Sequence, residues 1–420
     1  MGTVILFYEG KRRELDACES LKREIESNYK HNIQIFQIVF EYRKAVAYAK
    51  KNKVDMLIMP WLYSERCYYF TQPFIKLNPK LFVVNMHHEQ IASEFSDCIY
   101  NITSLHKNHV IHFVWAENFK NILIKKGVKE ELIFINGNIR LDSTFNVKYN
   151  KVLLAKEFNL DINKKWILLS ESRGWVLNFK KNGTRAWSNL ITNTKELEKQ
   201  ACQEMRSLEN TINDIKSIDE VFYDKYELIY RPHPGTLSPF KDKEDNLRVI
   251  SKYSIYEWLN VVATNIVWTS SSIFETEAFG IPGFVMNTPE IEKKFIPFGL
   301  EKYPHINKIN EIDTRLDCFE FQKNKIYPYY IGECEGKNIK KTGELIDIIL
   351  KTGIKNYQPK KIKCSYKLFR FNLWIALLNL VTKLTINLNL IEKIKFPKSA
   401  FDNLEDIPYY EKRKVLKHFE

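Results

Sequence analysis

The 420-residue chain, 45% hydrophobic and 27% charged, has the composition of a folded globular protein long enough for two domains, which excludes a disordered or fibrous chain. Its net charge of +13 is uneven: residues 351–420 hold 15 Lys/Arg against 6 Asp/Glu, a surplus of 9, so residues 1–350 carry only +4. A basic tail on a near-neutral body argues against nucleic acid as the main partner, and seven scattered cysteines without a CxxC pair read as reduced thiols of a cytoplasmic protein.

The first apolar run, 4–8, reads as a strand, because it is too short and too quickly followed by charge for a signal peptide. Further strand-like runs follow at 33–39, 54–60, 81–85, 111–115 and 132–136, and residues 13–29 carry Leu15, Cys18, Leu21 and Ile25 at helical spacing. A charged, uneven stretch over 142–165 then separates a second set of runs at 166–170, 227–230, 247–250, 265–268 and 283–286. The polar stretch 184–219 between them is helix-compatible. Nearly continuous apolar strands alternating with helices predict an α/β chain of two facing Rossmann-like, doubly wound domains, over 1–145 and 146–350. A basic, partly amphipathic helical tail occupies 351–420. Its apolar pieces are broken or flanked by Arg370, Asn372, Asn379 and Lys383, short of the ~20 apolar residues that a membrane span needs. Two readings of the tail stay open: an interfacial helix on an anionic membrane surface, or a helix packed back on the domains.

Polar groups that follow strands are the candidate site residues, since strand C-terminal ends and helix N-termini hold phosphates in such sheets. After the first strand come Glu9 and Gly10, an acceptor-side candidate where glycine would let a ligand approach the backbone. After the fourth come His87, His88 and Glu89, three candidates for a general base. In the second domain, Arg173 follows the first strand as a further phosphate contact. Arg231 and His233 stand in an Arg-Pro-His-Pro turn, where prolines fix the histidine and arginine offers a fork to an anion. Ser270, Ser271 and Ser272 open a helix-like segment with Glu275 one turn in, placed either for a capping box or for anion and ribose contacts. His106, His109 and His112 are spaced as HxxHxxH, but no fourth ligand accompanies them and no Asp-x-Asp occurs, so no metal and no cofactor are expected. Neither a GxGxxG nor a P-loop pattern is present.

These motifs together resemble the nucleotide-binding half of GT-B glycosyltransferases, especially surface-carbohydrate (capsule or lipopolysaccharide) biosynthesis proteins, and are similar to CDP-glycerol glycerophosphotransferases. The family's serines followed by Glu-x-x-x-x-Gly-x-Pro match Ser270, Ser271, Glu275, Gly280 and Pro282. Ser254-Ile255-Tyr256-Glu257-Trp258-Leu259 resembles its Ser-x-x-Glu-Trp-Leu segment, Arg13-Glu14-Leu15-Asp16 its first helix, and Gly137-Asn138-Ile139-Arg140-Leu141-Asp142 its interdomain hinge. Ile139 departs from the usual proline and Thr276 from the usual alanine. The resemblance implies a transferase whose second domain binds a nucleotide-sugar or CDP-polyol donor, often cytidine-activated, through His233 and the serines. It also implies that a loop histidine, His87 or His88, serves as base toward a glycan or lipid-linked acceptor at the inner membrane face. A GT-B nucleotide-sugar 2-epimerase and a non-catalytic carbohydrate-binding partner are the alternatives.

Overall fold

The computed structural model describes residues 1–95, 102–142, 150–182, 194–233, 236–240, 243–244, 246–362 and 366–387. The chain forms two compact units, one of Met1–Gln90, Asn101–Ser143 and Glu335–Glu420, the other of Ile91–Tyr100 and Thr144–Cys334.

In the first unit six strands, β1 (Thr3–Tyr8), β2 (Asn32–Gln37), β3 (Met56–Met59), β4 (Phe82–Asn85), β5 (Ile111–Val114) and β6 (Ile133–Ile135), make a parallel sheet in the order β2-β1-β3-β4-β5-β6. Successive side chains leave on opposite faces, and both faces are covered. Ile5, Phe7, Leu57, Met59 and Val83 enter one core, while Val4, Leu6, Met56, Ile58 and Val84 enter the other. That is why these strands read as continuous apolar runs and not as polar–apolar alternation.

The second unit repeats the plan with β7 (Lys165–Ser170), β8 (Tyr226–Arg231), β9 (Lys243–Glu244), β10 (Leu247–Val249), β11 (Thr264–Val267), β12 (Gly283–Met286) and β13 (His305–Ile306), in the order β13-β12-β11-β7-β8-β10-β9. Only the edge pair β9 and β10 is antiparallel. The two-residue strands β9 and β13 are too short to leave an apolar run, so the sequence reading does not contain them. In each sheet the strand order reverses once, between β1 and β3 and between β7 and β11. Such switch points open a crevice at the strand C-terminal ends, and ligands of open α/β sheets bind there.

Residues 335–350, placed by the sequence reading in the second domain, group with the first unit. The helix Asn338–Thr352 packs Ile346 and Ile349 into the core that holds Leu21 and Ile25. The hinge-like segment caps it: Asp142 accepts from Asn338 Nδ2 (2.8 Å) and from the Ile339 amide (2.7 Å). Gly137 has φ of 81°, and a Cβ there would lie 1.8 Å from Asn338 Oδ1, so glycine is required on two counts. Ile139, where the family has proline, is buried in the same core. A last helix, Tyr366–Asn387, packs Phe371 and Ile375 onto the opposite face of the first sheet. Among the described residues no helix is long and apolar enough to cross a membrane.

Candidate functional site

The two histidines after β4 part company. His87 has φ of 47°, in the left-handed region that favours glycine, and the adjacent side chains leave in different directions. His87 goes inward, where it is fully buried. Asn85 Nδ2 donates to its Nδ1 (3.3 Å), its Nε2 meets His112 Nδ1 (2.7 Å), and His112 Nε2 meets the His106 carbonyl (2.9 Å). The terminal carbonyl can only accept, so each ring is a neutral tautomer that accepts at Nδ1 and donates at Nε2. His87 therefore has neither a lone pair for a substrate proton nor access to one, which removes it as a base. His109, the third member of the HxxHxxH spacing, bonds the Gln358 carbonyl at the surface.

Burial, with the neighbouring histidines adding repulsion, holds His87 well below the usual histidine range, and burial lowers His106 and His112 from 6.5 to about 4. The folded state thus binds fewer protons than the unfolded chain between 6.5 and about 4, so the stability these groups contribute is present above 6.5 and lost as pH falls through that window. Each contributes a slope of up to about 1.4 kcal/mol per pH unit. The urea midpoint of the first unit should fall steeply from neutral pH toward pH ~4, and His112→Asn should flatten that fall.

His88 turns the other way and lines a recess with Glu14, Met86, Trp115, Asn138 and Arg140. It is 7% exposed, with Nδ1 2.9 Å from Glu14 Oε1, an ion-pair distance. Both ring nitrogens are buried, and among the described residues neither makes an aligned hydrogen bond. Catalytic hydrogen bonds are often poorly aligned before substrate binds. Glu14 gets there through a π-helical turn, Lys11–Leu15, directly after β1; its Oε2 accepts the Glu9 amide (2.7 Å). Such turns recur at functional sites. Glu9 meanwhile gives its carbonyl to Gln37 Nε2 (3.0 Å), and Gly10 has an ordinary extended φ of −101°, so its conformation does not demand glycine. Glu89 is exposed, with Arg140 Nη1 3.7 Å away, and Arg140 itself stacks over Trp115 at 4.9 Å. Glu14 was seen in the sequence only as part of a family-like helix, with no role.

In the second unit the polar groups gather at the ends of the adjacent strands β11, β7 and β8. Ser170 Oγ on β7 donates to Asn265 Oδ1 on β11 (2.7 Å), and Asn265 Nδ2 donates to Thr276 Oγ1 (2.7 Å). Thr276, the departure from the family's alanine, thereby ties helix Ser272–Ala278 to the sheet. Ser270 and Ser271 are part-exposed, whereas Ser272 is buried, bonded to Ser270 Oγ (2.9 Å) and donating its amide there (3.2 Å). Ser272 is thus a structural support and not a ligand contact. Glu275 is part-exposed and accepts from the Tyr256 hydroxyl (3.2 Å), while Glu277 is engaged by Tyr303 and the Ile326 and Tyr327 amides.

His233 is exposed after β8, its carbonyl accepting from the Thr236 amide and hydroxyl. Pro234 lies outside the described residues. Arg231 is mostly buried and clamps the next loop: Nη1 donates to the Lys252 carbonyl (3.1 Å) and Nη2 to that of Tyr253 (2.6 Å), whose φ is 67°. Trp258 Nε1 holds the Lys252 carbonyl too (3.0 Å), and Glu257 accepts from the Ser254 amide (3.0 Å). The Ser-x-x-Glu-Trp-Leu segment is therefore a helix cap and a buried anchor, and Arg231 positions a loop instead of forking an anion.

Arg173 needs a full correction. It is wholly buried, with Nε and Nη2 on the two Glu171 oxygens (2.9 and 2.7 Å), Nη1 on Ser207 and Nη2 also on Thr211, under the Trp268 ring at 4.4 Å. Burial alone would raise Glu171, but the Arg173 charge and hydrogen bonds leave it lowered. The pair is a floor beneath the β7 loop, out of reach of any phosphate.

Two doubly wound α/β units with polar clusters at their strand ends define the GT-B fold. Solved structures agree. The wall teichoic acid polymerase TagF superposes with a TM-score of 0.52 at 14% identity, covering 83% of this chain and 89% of that one. The UDP-GlcNAc 2-epimerase of Methanocaldococcus jannaschii, in complex with UDP-GlcNAc and UDP, gives 0.51 at 15% identity, covering 82% and 99%. No protein-family model matches the chain, and no curated protein sequence matches it significantly.

Proposed function

We propose that the protein is a glycosyltransferase, or a glycerophosphotransferase-like enzyme, that moves a group from a nucleotide-activated donor to a hydroxyl of a surface-glycan or lipid-linked acceptor. One observation carries the reading: the buried His88 imidazole, with a carboxylate against Nδ1 and an Nε2 that makes no hydrogen bond among the described residues, in a recess at a strand end. Nε2 takes the acceptor hydroxyl's proton as its oxygen attacks the donor, and Glu14 stabilises the imidazolium that forms. In the second unit His233, Ser270 and Ser271 receive the negative charge that gathers on the leaving phosphate, and Glu275 accepts from ribose hydroxyls. The resemblance of the His-Pro and serine motifs to the glycerophosphotransferases favours a cytidine-activated donor such as CDP-glycerol, CDP-ribitol, CMP-Kdo or CMP-sialic acid, handled at the cytoplasmic face of a membrane.

A nucleotide-sugar 2-epimerase is the second reading, supported by the Methanocaldococcus enzyme's similar superposition. Incubation with cytidine-activated donors and a glycan primer, and separately with UDP-GlcNAc alone, separates the two. The transferase predicts nucleotide release that requires the acceptor. A 2-epimer appearing without acceptor overturns it, and nucleotide binding with neither reaction indicates a non-catalytic partner.

A further inference from the structure

Helix Tyr366–Asn387 is apolar on two opposite faces, of which the other described residues cover one. On the inner face Phe371, Ile375 and Thr382 are buried; Phe371 meets Phe70 edge-on at 4.6 Å, and Asn379 Nδ2 donates to the Val39 carbonyl (2.9 Å). On the outer face Phe369, Leu373, Leu377, Leu380 and Leu384 follow one another at three- and four-residue spacing, each 49–62% exposed. They form a stripe about 22 Å long at 1.5 Å per residue, flanked by exposed Trp374 and Val381. Single exposed apolar residues are ordinary, but a continuous stripe opposite a face that is already buried calls for a second apolar surface.

Charge identifies that surface. The helix itself carries Lys367, Arg370 and Lys383 and no Asp/Glu. A second copy packed stripe to stripe would set these cations against their equals. Anionic lipid headgroups over an acyl layer satisfy the stripe and the cations together. The helix also sits at the end of the sheet that holds the base. Val39 follows β2, its amide donates to Gln37 Oε1 (2.7 Å), Gln37 Nε2 donates to the Glu9 carbonyl, and the Glu9 amide donates to Glu14, the partner of His88.

We infer that the outer face of helix Tyr366–Asn387 lies in the surface of an anionic bilayer and presents the His88 end of the first sheet to acceptors anchored in that bilayer. The second clause rests on the transferase reading; the first stands without it. The test is co-sedimentation of the full chain with vesicles of phosphatidylcholine containing phosphatidylglycerol and with vesicles of phosphatidylcholine alone. Wild type should pellet with the anionic vesicles, less so at high salt, and weakly with the neutral ones. The Leu373→Asp/Leu377→Asp variant, altered only at exposed positions and with its unfolding midpoint kept, should bind at least about tenfold more weakly. Val221→Asp, at another exposed apolar site, should bind as wild type does. Wild type left in the supernatant, equal pelleting of the double variant, or a wild-type dimer that the double variant makes monomeric would overturn docking. On a water-soluble acceptor the double variant should turn over like wild type. Absence of turnover in both, with vesicle binding intact, counts against the transferase reading and the acceptor clause alone.

Discussion

His88→Asn should lower acceptor-dependent transfer by about 10²–10⁴-fold, the span associated with a lost general base, while nucleotide affinity stays unchanged. Asparagine keeps a polar group near the Nδ1 position and removes the basic Nε2, so the loss should fall on kcat. Glu14→Gln should give a smaller loss, because the charge that stabilises the developing imidazolium goes while the base itself stays. His87→Gln should behave differently: it opens the neutral histidine chain, so unfolding midpoints should fall and the surviving folded enzyme should retain its pH profile. Steady-state kinetics with a soluble acceptor, paired with thermal unfolding, reads all three variants. Equal loss at both histidines would contradict the assignment of the base to His88.

Glu171→Ala should destabilise the second unit by about 3–5 kcal/mol, because it leaves the Arg173 charge buried and unpaired. The Tyr230 hydroxyl, which donates to Glu171 Oε2 (3.2 Å), would lose its partner as well. Replacing both charges with apolar residues, Glu171→Leu/Arg173→Met, should cost much less than the single change, since no stranded charge remains. Urea unfolding of the second unit measures both. A shift below about 1 kcal/mol for Glu171→Ala would show that water reaches the pair and that the β7 loop lacks a rigid floor.

Much of the sheet plan is legible in the sequence because strands covered on both faces must be apolar throughout, as 4–8 and 166–169 are. Strand ends were legible for the same reason: polarity returns abruptly at Glu9, His87, Arg231 and Ser270. What lay beyond the sequence is direction. Neighbouring His87 and His88 read alike until a left-handed φ sends one inward. Glu14 becomes a partner of His88 only because a π-helical turn carries it back beneath the β4 loop, and no linear spacing encodes that meeting. Arg173 looked like a loop cation because its partners, Ser207 and Thr211, come from a helix more than thirty residues away. The helix Asn338–Thr352 has a periodicity compatible with either unit; Asp142 and the Ile346 contacts decide which one holds it.

The central claim is a nucleotide-activated donor held at the β11, β7 and β8 strand ends, and a thermal-shift comparison of CMP, CDP, UDP, GDP and ADP tests it most directly. At a hundredfold excess over Kd, a ligand that binds only the folded state adds about 2.7 kcal/mol, a shift of several degrees. The account predicts such a shift with CMP or CDP, abolished by His233→Ala and unaffected by His88→Asn. A shift with uridine nucleotides alone would contradict the cytidine preference. No shift with any of the five would contradict the donor site itself.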